Sequence, residues 1–176
     1  MDKNSLRRNV RTRIAGLDME ARVACSVSIM RSLKSHLTVC GARVVALFSP
    51  LPDEPQLWPL ADELTKKGIV VALPRVEGDS MQFYCYDGTV ESGSYDIMEP
   101  CGSEVVAPGE IDAIVVPGVV FTSGGKRMGR GKGYYDRYMS HDDFRALKLG
   151  VCYPVQLVDD IPCEAHDIVM DFVIYR

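Results

Sequence analysis

Residues 115–139 read V-V-P-G-V-V-F-T-S-G-G-K-R-M-G-R-G-K-G-Y-Y-D-R-Y-M, and the order of features in them decides the fold class. The stretch is entered through a largely apolar run, Ile111 to Val116, of the kind a sheet buries on both faces. Pro117-Gly118 breaks that run. Glycines at 124, 125, 129, 131 and 133 then alternate with Lys126, Arg127, Arg130 and Lys132, and a helical pattern begins near Tyr134. Glycine accepts dihedrals that turn successive backbone N–H groups toward an anion. A helix start adds further unpaired N–H groups. With four cations interleaved, the residues describe a phosphate site. A solvated basic loop is the alternative. Against it stand Asp136, where a carboxylate can hold a metal beside phosphates, and Tyr134 and Tyr135, which can form an aromatic wall.

The loop matches no general nucleotide motif. Counting a G-x-x-x-x-G-K-[ST] loop from Gly124 reaches Gly129, but Arg130 follows where lysine is required. Gly129-x-Gly131-x-Gly133 falls one residue short of G-x-G-x-x-G.

Working outward, residues 3–17 carry Leu6, Val10, Ile14 and Leu17 at helical spacing, with Lys3, Arg7, Arg8, Arg11 and Arg13 on the other faces. Asp18 can cap a second helix, whose apolar stripe is expected at Met19, Val23, Val27, Met30, Leu33 and Leu37. Val44 to Phe48 reads as a strand ending in a proline-stiffened loop, Ser49 to Pro55. A helix is expected over 56–67, then a buried parallel strand from Ile69 to Leu73, ended by Pro74-Arg75. Further strands are expected at 81–86, 149–152 and 171–175. Strands alternating with helices predict a three-layer α/β/α domain with a largely parallel sheet.

The 176 residues fit a single domain spanning 1–176. The net charge of −4 argues against a general nucleic-acid binder. No run is long enough to span a membrane and the opening lacks an apolar signal core, so a cytoplasmic protein without a membrane or nucleic-acid partner is expected. The six cysteines form no C-x-x-C pair and read as reduced, mostly packed thiols.

V-P-G-V-V-F followed by R-M-G-R-G-K-G-Y-Y-D-R-Y resembles the signature of the 5-formyltetrahydrofolate cyclo-ligases, or methenyltetrahydrofolate synthetases. Lys3-Asn4-Ser5-Leu6-Arg7 is similar to the family's K-x-x-L-R opening, and the resemblance runs to the last strand. It implies a fold related to sugar-phosphate isomerases and CoA transferases. It also implies ATP- and Mg²⁺-dependent closure of 5-formyltetrahydrofolate to 5,10-methenyltetrahydrofolate, with release of ADP and phosphate through an iminium phosphate. By that resemblance Arg130, Lys132 and Tyr134 would be catalytic. Lys3, Arg7, Arg127, Gly129, Gly131, Gly133, Tyr135 and Asp136 would join them on ATP. Glu54, Tyr95 and Tyr134 would bind the folate, and Asp136 with Asp167 would hold magnesium. The segment Ser94 to Pro100 is similar to one near the pterin pocket, though many members carry glycine or asparagine at Asp96. Many also carry aspartate where Thr122 stands, so one carboxylate is expected to be missing near the phosphates. A monomer or weak dimer is expected. An isomerase or transferase on the same scaffold, and an RNA-binding relative using the basic first helix, are the rivals.

Overall fold

The computed structural model describes residues 2–175. Asp2 begins helix α1 (Lys3–Ala15) by accepting the N–H groups of Asn4 and Ser5. Asp18 caps α2 (Met19–Val39) in the same way, accepting from Ala21 at 2.7 Å. The stripe that α2 buries is Ser26, Ile29, Leu33 and Leu37, whereas Met19, Val23 and Val27 are exposed, which corrects the stripe expected from sequence. Two rows spaced by three and four residues compete on this helix. Leu33 and Leu37 belong to both, Ser26 and Ile29 turn inward with them, and Arg22 locks the rotation by donating to the carbonyls of Ile14, Leu17 and Pro52.

The remaining elements are β1 (Val44–Ala46), α3 (Trp58–Lys66), β2 (Val70–Glu77), β3 (Ser80–Cys85), β4 (Val90–Ser92), β5 (Met98–Pro100), β6 (Val105–Val106), β7 (Ala113–Val116), β8 (Val120–Phe121), β9 (Arg127–Met128), α4 (Tyr134–Met139), β10 (Leu147–Val151) and β11 (Phe172–Ile174). Seven strands form the central sheet in the order β11-β10-β7-β1-β2-β3-β6. The first five run parallel, and β3 and β6 add an antiparallel margin. The sheet is thus mixed and mostly parallel, as read.

Alternation along the strands fills both faces. Val45, Leu47, Val71, Leu73, Val115 and Leu149 pack under α2 and α3. Ala46, Ala72, Ile114 and Val116 pack on the other side with Phe121, Tyr138 and Met139. Leu6, Val10 and Ile14 seat α1 on Val120, Met128 and Tyr153.

β2 does not stop at Pro74 as expected but runs on to Glu77, paired with β3. β1 pairs no further than Ala72, so the amide that Pro74 lacks falls where no parallel neighbour remains to accept it. The ribbon β4–β5 stands apart from the main sheet. Only Cys152 among the thiols is buried, and Cys40, Cys101 and Cys163 are exposed, so the cysteines are not mostly packed. They sit in caps and loops rather than on core faces. Among the described residues no helix is long and apolar enough to cross a membrane.

Candidate active site

A cleft of about 960 Å³ opens beyond the carboxyl ends of β1 and β7, the usual ligand position in an open α/β sheet. Phe48 and Ser49 enter it after β1, and Pro117 and Gly118 after β7. One wall is the loop 127–133 with α4; the others are α1, the 162–168 segment and the ribbon carrying Tyr95. Every residue assigned a site role from the sequence lines this one cleft, from Lys3 to Asp167.

The loop's glycines act by two means. Gly131 and Gly133 have φ of +107° and +69°, conformations that β-carbons resist. Gly129 is needed for space, since a Cβ there would lie 2.9 Å from the Arg127 guanidinium. Helix α4 begins at Tyr134 as expected and has 6 residues, so its first-turn amides rather than a long helix dipole are what it offers the cleft.

The four loop cations do not form the shared cradle expected. Lys126 leaves the cleft to pair with Asp160 at 2.5 Å. Arg127 is buried and pairs with Asp136 at 2.7 Å, its Nε left without a partner among the described residues. Arg130 crosses the cleft to Asp53 (2.6 Å) and Glu54 (3.0 Å). Lys132 makes no ion pair among the described residues and lies 5.7 Å from the Tyr95 ring centre. Arg7 is likewise free of carboxylates, donating to the Gly129 carbonyl at 2.9 Å and to the Asn4 amide oxygen at 3.0 Å. Carboxylates therefore hold most of the cations in place.

Glu54 is buried, with one carboxylate oxygen accepting the Leu51 N–H at 3.0 Å and the other accepting from Arg130. Burial pushes its carboxyl up, and Arg130 only partly offsets this. Lys3 bridges Glu164 (2.9 Å) and Asp167 (3.1 Å), which ties α1 to the 164–167 segment. Burial works against the Asp167 charge, but the Glu164 N–H and Lys3 hold its carboxyl below the usual range. Asp136 also accepts the Ile168 N–H at 3.2 Å, so the two expected metal carboxylates stand on adjoining walls. Two carboxylates with phosphate oxygens suit magnesium, which takes hard oxygen donors and needs few from the protein. Asp167 Oδ1 accepts no hydrogen bond among the described residues, lying only 3.9 Å from the His166 ring, while each Asp136 oxygen accepts one, from Arg127 and from the Ile168 N–H, and keeps a second lone pair, so the donor set fits.

Tyr95 and Asp96 have φ of +61° and +57°. The left-handed backbone at Asp96 suits the glycine or asparagine that the resemblance leads one to expect there. The Tyr95 hydroxyl lies 3.4 Å from that of Tyr134, so the ribbon leans on α4. Thr122 is buried outside the cleft, where its Oγ1 accepts the Lys126 N–H at 3.1 Å and closes the β8–β9 turn. Its replacement of aspartate therefore removes no carboxylate from the site, contrary to expectation. Asp53 and Glu164 are ion-pair partners that the sequence does not single out. Nothing local in the sequence marks them, because each pairs with a cation more than seventy residues away.

The model of the 5-formyltetrahydrofolate cyclo-ligase family matches residues 1–176. This chain belongs to that family. The 5-formyltetrahydrofolate cyclo-ligase of Mycolicibacterium smegmatis is 33% identical over 82% of this chain and 79% of its own length. The mouse enzyme of the same name is 26% identical over 99% and 93%. Among solved structures, the NMR structure of Aquifex aeolicus 5,10-methenyltetrahydrofolate synthetase superposes with a TM-score of 0.87 at 36% identity, covering 99% of this chain and 90% of that one. The synthetase from Mycoplasma pneumoniae gives 0.82 at 26%, covering 99% and 98%. The segment that carries the resemblance, 127–136, is thus also one wall of the cleft.

Proposed function

We propose that this chain is a 5-formyltetrahydrofolate cyclo-ligase, a ligase that uses ATP to close 5-formyltetrahydrofolate to 5,10-methenyltetrahydrofolate. The observation that carries the reading is the convergence of signature residues up to 164 positions apart in one cleft. A formamide oxygen is a poor leaving group. The formyl oxygen attacks the γ-phosphorus of ATP, the bond to ADP breaks, and an iminium phosphate forms. The neighbouring folate nitrogen attacks the iminium carbon and loses its proton, and the C–O bond breaks to release phosphate.

Such a transfer needs positioning and charge neutralisation more than covalent help. Arg130 and Lys132 neutralise the transferring phosphoryl group, and Lys3, Arg7, Arg127, Tyr135 and the amides around Gly129, Gly131 and Gly133 hold the nucleotide. Glu54 fixes the folate while bonded to Arg130, which couples substrate placement to the phosphoryl site. Tyr134 and Tyr95 pack against the folate. Asp136 and Asp167 would hold Mg²⁺, which would add neutralising charge at the phosphates. The test is absorbance at the methenyl-folate band with 5-formyltetrahydrofolate and Mg²⁺, with and without ATP. A rise only with ATP is expected; a folded protein that binds ATP and gives no rise would overturn the reading.

A further inference from the structure

Five carboxylates line the cleft: Glu54, Glu99, Asp136, Glu164 and Asp167. Four of them face a cation, Glu54 on Arg130, Asp136 on Arg127, and Glu164 and Asp167 on Lys3. Glu99 faces none among the described residues, although at 8% exposure it is about as buried as Glu54 at 7%. Its Oε1 accepts the N–H of Val76 at 3.0 Å, an amide on the edge of β2 that β1 has left unpaired. Its Oε2 makes no hydrogen bond among the described residues.

This carboxylate is built into the ribbon. A Cβ on Gly93 would lie 2.1 Å from the Glu99 Cδ and 2.4 Å from Oε2, so glycine is required there for the carboxylate to fit. A buried carboxylate without a counterion is costly unless donors reach it. Within the cleft, N–H groups of a ligand can supply those donors. The neighbouring walls are apolar, formed by Pro74, Met81 and Ile97. Apolar walls ending in a lone carboxylate suit a flat heterocycle whose edge presents N–H groups.

We infer that Glu99 binds the pyrimidine edge of the folate's pterin ring, accepting from its 2-amino group and the adjacent ring N–H. The assignment rests on the cyclo-ligase reading and names the substrate contact that the signature left open. Two heterocycles take part in that reaction. Adenine sets its amino donor beside ring-nitrogen acceptors, which a carboxylate repels. The 2-amino-4-oxo pyrimidine sets two donors side by side, which match a carboxylate.

The test is calorimetric binding of 5-formyltetrahydrofolate and, separately, of ATP to the wild-type protein and to Glu99→Gln. A 2-desamino analogue of the folate is run against both. Glu99→Gln should weaken folate binding by about 10- to 100-fold, the range for a hydrogen bond to a charged group, with ATP binding and the unfolding midpoint unchanged. The wild type should disfavour the 2-desamino analogue by a similar factor, and Glu99→Gln should not. A folate affinity that Glu99→Gln leaves intact, or a loss confined to ATP, overturns the assignment while leaving the cyclo-ligase reading standing. A wild-type protein that binds no 5-formyltetrahydrofolate overturns both. The analogue arm on the wild type decides the matter even if the variant does not fold.

Discussion

Arg130 in the glycine-rich loop and Glu54 in the loop after β1 are bonded to each other, with Nε and Nη2 at 3.2 and 3.0 Å from one carboxylate oxygen. The family resemblance assigns the first to ATP and the second to folate. Their bond joins the two halves of the site before either ligand is bound. It also gives Glu54 a second duty, as counterion to a guanidinium that has half withdrawn from water.

Arg130→Ala should lower turnover by at least roughly 10²-fold, as loss of a donor to a developing charge does. Steady-state assays with both substrates saturating check this. A folded variant with near-normal kcat would remove Arg130 from the phosphoryl site.

Glu54 carries a pH signature. Burial raises its folded-state carboxyl above the unfolded one, so the folded chain binds more protons between those two values. That contribution to stability is complete below the unfolded value, near 4.5, and is lost as pH rises through the folded value. Urea midpoints measured upward from pH 4.5 should fall more steeply in the wild type than in Glu54→Gln. Parallel slopes would show that the buried carboxyl does not titrate as described.

Arg127 and Lys132 should differ in what they contribute to stability. The Arg127 side chain is 3% exposed and paired with Asp136, so Arg127→Ala should cost on the order of 3 kcal/mol of unfolding free energy by stranding that carboxylate. Lys132 is exposed and makes no ion pair among the described residues, so Lys132→Ala should leave the urea midpoint in place and reduce kcat/KM by about tenfold or more. If Lys132→Ala unfolds early or keeps full activity, the division of labour is different.

Magnesium dependence distinguishes the two proposed ligands. Asp167→Asn should raise the Mg²⁺ concentration for half-maximal activity with little change in unfolding midpoint. Asp136→Asn should shift both quantities, because Asp136 also holds buried Arg127. Metal titrations beside thermal melts read the two effects apart; an unchanged titration for either variant removes that residue from the metal.

The amino-acid order alone was enough for the fold class and the family, and the residues it singled out line one cleft. Local chemistry writes those features. Apolar runs set strands, glycines at 131 and 133 mark left-handed backbone, Asp2 and Asp18 cap helices, and a long signature segment carries the family. Tertiary structure decided what no local pattern encodes. Which of two apolar rows on α2 turned inward depended on what packed beneath it. Whether Pro74 ended β2 depended on how far its neighbour β1 reached. The partners of the cleft's charges were decided the same way, Lys3 by residues 161 and 164 positions away, Arg130 by Glu54 at a separation of 76. That Glu99 faces no cation among the described residues is a fact of the same kind, since a missing counterion is visible only once the cations have taken their places.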